Sequence, residues 1–204
     1  MAEKQGGVLD TFVYEDPRAS LPVWYVEEGL VGREALLSHF QPGRGAAVAW
    51  RVETQSGNPV AGTGVPALLL MMEEKALRLP RGYVREDFVI QGLYAVFNCC
   101  PHLCCQPGWR FTPREAQRAN LGYDAVYCPC HASQFDPGRL EPYQHPGRTG
   151  GEEGEYLGIY KVPNVGPADR GMPLIPIRLE KGKVVGQLKH PAWYRYQKFQ
   201  GKDL

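Results

Sequence analysis

The sequence predicts an all-β protein: an antiparallel β domain drawn from both ends of the chain, with a smaller Cys/His-rich subdomain inserted between its strands. Three observations lead there. Of 204 residues, 24 are glycine and 18 proline, roughly a fifth of the chain where about 12% is usual; such a chain suits short strands and many loops better than a helical bundle. Its apolar segments are short, alternating or continuous, and bounded by turn signals. The six cysteines do not scatter: Cys99, Cys100, Cys104 and Cys105 crowd into seven residues, and Cys128 and Cys130 close the set. The β domain is expected over residues 1–95 and 157–204, and the inserted subdomain over 96–156.

In chain order, Thr11–Tyr14 and Pro22–Val26 are short strand-like runs separated by the turn signal Asp16-Pro17. The segment from Gly32 to Phe40 has helical spacing and predicts one short helix, ended by Pro42-Gly43. Ala46–Thr54 alternates like a half-buried strand. Ala67–Met72 is continuously apolar, which fits a strand covered on both faces or a short buried helix; Pro66 and the charged Glu73-Glu74-Lys75 favour the strand. Phe88–Asn98 predicts two strand pieces around Gly92, delivering the chain to the cysteines. Beyond them, Thr112-Pro113-Arg114-Glu115 forms a capping box, with proline at the first helical position, and predicts a second short helix to Leu121. Ile175–Glu180 and Lys183–Leu188 flank Lys181-Gly182 as a hairpin. The aromatic tail Trp193–Phe199 is expected to pack down, as is Trp109.

Charge and hydropathy narrow the function. With 23 basic and 22 acidic residues, a net charge of +1 gives no electrostatic case for nucleic acid or a polybasic membrane contact. No apolar run approaches the roughly 20 residues that span a bilayer, and the polar Ala2-Glu3-Lys4-Gln5 after Met1 does not read as a secretory signal.

The chemistry is concentrated in Cys100-Pro101-His102-Leu103-Cys104-Cys105 and Cys128-Pro129-Cys130-His131-Ala132-Ser133. Thiolates and imidazoles at close spacing on two proline-containing turns suit a four-coordinate metal site with two sulfur and two nitrogen ligands. A structural zinc site is the plainer alternative, but zinc knuckles usually place paired cysteines on one side and paired histidines on the other. Here each loop contributes one Cys and one His, a distribution that suits a diiron cluster with both thiolates on one iron and both imidazoles on the other.

The pattern Cys-x-His-Leu-x-Cys followed by Cys-Pro-Cys-His-x-Ser resembles the Rieske family position by position. The resemblance is strong over Val96–Leu188 and weak over the first 60 residues. It implies an antiparallel β-sandwich base domain with an inserted, rubredoxin-like cluster-binding subdomain, and one [2Fe-2S] cluster per chain. Carried over, Cys100 and Cys128 bind one iron and His102 and His131 the other. Cys105 and Cys130 form a disulfide pinning the loops together, and Ser133 donates a hydrogen bond to a cluster sulfide. Cys99 and Cys104 have no role in the pattern and are expected as reduced thiols near the loop, in preference to a second disulfide. His39, His145 and His190 read as surface or packing histidines, and Glu152-Glu153-Gly154-Glu155 as a solvated turn.

The disulfide cysteines favour the iron–sulfur subunits of cytochrome bc1 and b6f complexes over Rieske ferredoxins and oxygenases. Gly166-Pro167-Ala168, Pro173-Leu174 and Pro176 resemble the proline-rich loop that shields the cluster in those subunits. There are departures. Cys104 stands where glycine is usual, and Phe135 stands where high-potential members carry a tyrosine whose hydroxyl stabilises the reduced cluster. A potential in the lower part of the bc-type range is expected.

The resemblance implies an electron-transfer subunit of a quinol:cytochrome c oxidoreductase, catalytically incomplete alone. The exposed edges of His102 and His131 would contact the quinol and take up a proton, and Leu103 would dock on a cytochrome b-type subunit. The electron would pass to a c-type cytochrome. The alternatives are the small Rieske subunit of a soluble oxidoreductase, resembling that of arsenite oxidase, or a Rieske ferredoxin. A disulfide implies an oxidising compartment; the expected location is periplasmic, or the outer face of an energy-transducing membrane. The chain is expected to be a soluble fragment lacking its membrane anchor.

Overall fold

The fold is seen in a computed structural model that describes residues 11–14, 32–51, 65–82, 88–109, 125–143 and 157–187. Among them are eleven strands: β1 (Thr11–Tyr14), β2 (Arg44–Arg51), β3 (Val65–Met71), β4 (Leu93–Phe97), β5 (Gly108–Trp109), β6 (Val126–Tyr127), β7 (Gln134–Pro142), β8 (Leu157–Lys161), β9 (Met172–Ile175), β10 (Ile177–Glu180) and β11 (Lys183–Gly186). They are hydrogen-bonded in the order β10-β11-β1-β2-β3-β4-β9-β8-β7-β6-β5, antiparallel throughout. The all-β antiparallel class is therefore as the sequence predicts. The expected strand Pro22–Val26, the capped helix after Thr112, the aromatic tail, His145, His190 and the acidic turn at 152–155 lie outside the described residues.

The continuous apolar run of β3 forms a strand buried on both faces, because side chains alternate between two cores. Leu68 and Leu70 enter one core with Ala47, Tyr94 and Val96. Ala67, Leu69 and Met71 enter the other with Val48, Trp50, Leu93 and Ala95. The second core is closed by Phe12 and Tyr14 of β1 and by Ile177 and Val184 of the terminal hairpin. The first is closed by Phe135, Leu140, Leu157, Ile159 and Met172, and it includes Cys100 and Cys128. Strands β2–β4 are thus a middle layer, with the cysteine loops on one side. Each fully buried leucine there contributes about 1.5–3 kcal/mol.

The hairpin β10–β11 turns at Lys181-Gly182, both at positive φ, as does the tight turn Gln91-Gly92 ahead of β4; two-residue turns of this hand need such residues.

Three local expectations are corrected. Residues 32–40 do not form a helix: only Leu37–His39 makes a single 3-10 turn. Their backbone is engaged elsewhere, with Ala35 N–H donating to the Phe12 carbonyl at 2.8 Å and Val184 N–H to the Ala35 carbonyl at 2.9 Å. A segment clamped between β1 and β11 cannot also close helical hydrogen bonds. Strand β2 starts at Arg44, not Ala46, and all of Ala46–Trp50 is buried, so it is covered on both faces. Before Gly92 there is no strand, only an isolated bridge between Ile90 and Leu93; Phe88 and Val89 pack into the core instead.

Strand β9 joins the two halves of the sheet. Leu174 and Ile175 pair with Val96 and Ala95 of β4, while Met172 and Pro173 pair with Ile159 and Gly158 of β8. A second tie is the Tyr94 hydroxyl, which donates to the Pro137 carbonyl at 2.5 Å. Strand β7 is bulged between Asp136 and Leu140, and the buried Asp136 holds the bulge by accepting from Gly138 N–H (2.8 Å) and Arg78 (2.7 Å). Among the described residues no helix is long and apolar enough to cross a membrane.

Candidate metal centre

Strand β4 ends at Phe97 and runs straight into the first cysteine loop, while β6 and β7 frame the second. The first loop is folded on itself: Cys100 N–H donates to the Cys105 carbonyl, and Cys104 N–H to the Cys100 carbonyl, both at 2.8 Å. In the second, Cys128 N–H donates to the Ser133 carbonyl at 2.8 Å. Each loop is therefore a hydrogen-bonded turn that presents its Cys and His from a fixed frame.

The structure brings the two loops together. Cys105 and Cys130 are joined as a disulfide across them. The sulfurs of Cys105, Cys128 and Cys130 lie within 4.8 Å of one another, a cysteine group of the kind that can hold a metal ion. Two of those three are consumed by the disulfide, so the sulfur donors that remain are the buried free thiols Cys100 and Cys128. The rings of His102 and His131 meet edge to face with centroids 4.7 Å apart. His102 Nδ1 is buried and has no hydrogen-bond partner among the described residues, the condition of a nitrogen reserved for a ligand.

The electrostatics set the two thiols apart. Hydrogen bonding between the two thiols pushes Cys100 up and Cys128 down, so Cys100 keeps the shared proton and Cys128 carries the thiolate. Burial raises both. The backbone amides of Cys130 and His131 oppose it at Cys128, and the amide of His102 and the Ser133 hydroxyl oppose it at Cys100. Amides aimed at sulfur stabilise a thiolate, the form that binds metal.

Ser133 is fully buried, and its hydroxyl also accepts from Ala168 N–H at 3.1 Å. The loop Gly166-Pro167-Ala168 is therefore seated on the second cysteine loop. Gly166 is at φ +70, and a Cβ there would collide with the Ser133 backbone, so glycine is needed both for conformation and for closeness of approach. Leu103, at 68% exposure, is the exposed large hydrophobic residue among those described. Phe135 is fully buried in the core that includes Cys100 and Cys128. His39 packs on Tyr14, 3.1 Å from its hydroxyl, as a packing histidine should.

One expectation is overturned here. Cys99 and Cys104 are not reduced thiols; they form a second disulfide, five residues apart and across the turn that carries His102. Cys104 has a positive φ of 55°, a backbone conformation that residues other than glycine adopt at a cost and that the spacing of the cysteines does not reveal. Lys161 was also missed. It faces Cys100 electrostatically from the end of β8, where burial pulls its pKa down and the Cys100 charge pulls it up. Nothing in its local sequence marks a lone lysine on a strand as a neighbour of a cysteine 61 positions earlier.

Compared with known proteins, the chain matches no family model and no curated sequence.

Proposed function

We propose that this protein is a Rieske-type electron-transfer subunit of a quinol:cytochrome c oxidoreductase, holding one [2Fe-2S] cluster on Cys100, Cys128, His102 and His131. The observation that carries the reading is the sorting of the six cysteines: four are spent in disulfides, and the two left free are buried and hydrogen-bonded to each other, on the same two loops whose histidine rings adjoin. The donor set fits the group. Two buried cysteine sulfurs with amides directed at them and two imidazoles, one with a buried unpartnered nitrogen, match a cluster that takes cysteines on one iron and histidines on the other.

When bound, the cluster supplies a one-electron acceptor. The chain's own residues do the rest. Cys128 holds negative charge under the amides of Cys130 and His131, and the His102 amide and Ser133 hydroxyl ease the ionisation of Cys100 that metal binding would require. His131 is exposed, so the ring nitrogen not used for coordination can accept a hydrogen bond from a quinol hydroxyl and take its proton as the electron leaves. The Ser133 hydroxyl lies on the buried side, and the loop at Gly166–Ala168 keeps water from it. Leu103 offers an apolar contact for a cytochrome b-type subunit, and a c-type cytochrome is the acceptor. Such work belongs at the periplasmic or outer face of an energy-transducing membrane, the oxidising side that two disulfides need.

The test is iron and sulfide analysis of protein produced with iron–sulfur assembly, together with electron paramagnetic resonance after reduction. A rhombic signal with an average g below that of all-cysteine clusters is expected. Stoichiometric zinc without iron, or the signal of a four-thiolate cluster, would overturn the reading.

A further inference from the structure

Cys99 and Cys104 are left without a role by the proposed function. Their disulfide closes a six-residue ring that contains Cys100 and His102. At the far corner of the ring Cys104 has a φ of +55°, in the left-handed region that side chains other than glycine occupy at a steric cost. Packing does not hold it: Cys104 is exposed, and Leu103 beside it is 68% exposed. The backbone contributes the pair Cys104 N–H to Cys100 carbonyl and Cys100 N–H to Cys105 carbonyl. Both bonds close the chain around the Cys104 corner.

We infer that the Cys99–Cys104 disulfide is a positioning element of the metal site, a covalent staple that keeps Cys104 left-handed and so fixes the turn carrying His102 and Leu103. The inference rests on the proposed function only in taking His102 as a ligand. The two disulfides then divide the work. Cys105–Cys130 ties one loop to the other, whereas Cys99–Cys104 sets the internal shape of the first. Adjacent half-cystines at 104 and 105 anchor the same backbone corner in two directions. The loop is anchored below by the buried Cys100 and by Cys105 against the core, but its outer corner at Leu103 and Cys104 is exposed, and a staple there helps hold His102 to the precision a ligand requires.

Two double variants separate this from a passive cross-link: Cys99→Ala with Cys104→Ala, and Cys99→Ala with Cys104→Gly. Glycine accepts the left-handed conformation without a staple, so it should restore what alanine loses. In metal-free protein, amide hydrogen exchange over residues 100–105 should quicken by about tenfold or more in the alanine pair and by less in the glycine pair. In metal-loaded protein, the alanine pair should show a broadened resonance signal and a shifted reduction potential, and the glycine pair values near wild type. Thiol titration of the denatured, metal-free wild type should find two reactive thiols, Cys100 and Cys128. Four thiols, exchange unchanged in the alanine pair, or a glycine pair no better than the alanine pair would each overturn the inference. Stoichiometric zinc without iron, or the spectrum of a four-thiolate cluster, in the wild type would overturn the proposed function and leave the exchange result standing.

Discussion

The middle layer of the sheet and the two-loop tip are held by different kinds of force. In β3, four consecutive residues from Ala67 to Leu70 have no exposure at all, and each is gripped by neighbours on β2, β4 and the core behind its face. No single contact there is indispensable. At the tip, Leu103, Cys104, Cys130 and His131 are all exposed, and shape comes from two disulfides, a few backbone hydrogen bonds and the seating of Gly166 on Ser133. The sheet is redundant and the tip is not. Changes in the sheet should therefore cost stability and spare the site, while changes at the tip should cost the site and spare the sheet.

The sharpest break is ligand removal. His131→Ala should abolish iron retention, read as iron per chain, while the far-ultraviolet circular dichroism and denaturant midpoint of the metal-free protein stay at wild-type values. Full iron content with an unaltered spectrum would remove His131 from the ligand set. The converse change is Leu69→Ala in β3, which should destabilise by about 2–5 kcal/mol through lost burial and the cavity left behind. Its folded fraction should keep the wild-type cluster spectrum; a loss of iron at small denaturant cost would erase the contrast between the regions.

Cys105→Ala with Cys130→Ala lies between these extremes, because that bridge spans both loops and a sequence separation of 25. Loop-closure entropy sets its cost at about 3–4 kcal/mol, comparable to a large core truncation, but the cluster should also be shed faster. Denaturant unfolding and the rate of iron loss measure the two effects separately. A stability loss with wild-type iron retention would mean that the bridge staples the fold and not the site.

How far each region could be read in the sequence follows the same division. Strand β3 was legible because its apolar run has no break, and the β10–β11 hairpin because Lys181-Gly182 states its own turn. The two cysteine loops could be picked out by residue type, and the structure brings Cys100 beside Cys128 and His102 beside His131. Residues 32–40 were misread because their helical spacing is local while their partners, Phe12 and Val184, lie far away in the chain. The burial of both faces of β2 was missed for a similar reason: which face a layer covers is decided by strands that the pattern of one segment does not contain. Cys99 with Cys104 was misjudged because pairing depends on a backbone angle at Cys104, not on spacing.

Smaller effects test the tuning of the site and not its existence. Phe135→Tyr would add a hydroxyl inside the core that holds Cys100 and Cys128. Should the hydroxyl reach a ligand sulfur, it stabilises the more negative reduced state and the reduction potential rises with little change in stability. Without such an acceptor, an unpaired buried hydroxyl costs about 1–3 kcal/mol and the potential stays put. Protein-film voltammetry and denaturant unfolding together decide, and an unmoved potential removes Phe135 as the cause of a low-range value.

Lys161 offers the finest test, because it reaches the site through its charge and through one hydrogen bond. It stands at the end of β8, opposite Phe135 in register, and its Nζ donates to the Gly166 carbonyl at 3.3 Å, so it could act as a cation or as a strut for the shielding loop. As a cation facing Cys100 it favours the extra electron, and Lys161→Gln should lower the reduction potential while Lys161→Arg holds it. The Lys161 side chain is partly exposed and its bond to Gly166 is at the surface, so the shift should be small and should shrink as salt rises through about 0.1–1 M. A strut predicts otherwise: glutamine can still donate to Gly166, so its potential would match wild type at every ionic strength. A drop in Lys161→Gln that salt leaves unchanged would also count against the charge, since a geometric disturbance is not screened. Only a lowered potential that converges on wild type at high salt makes Lys161 an electrostatic part of the tip, held in place by the sheet.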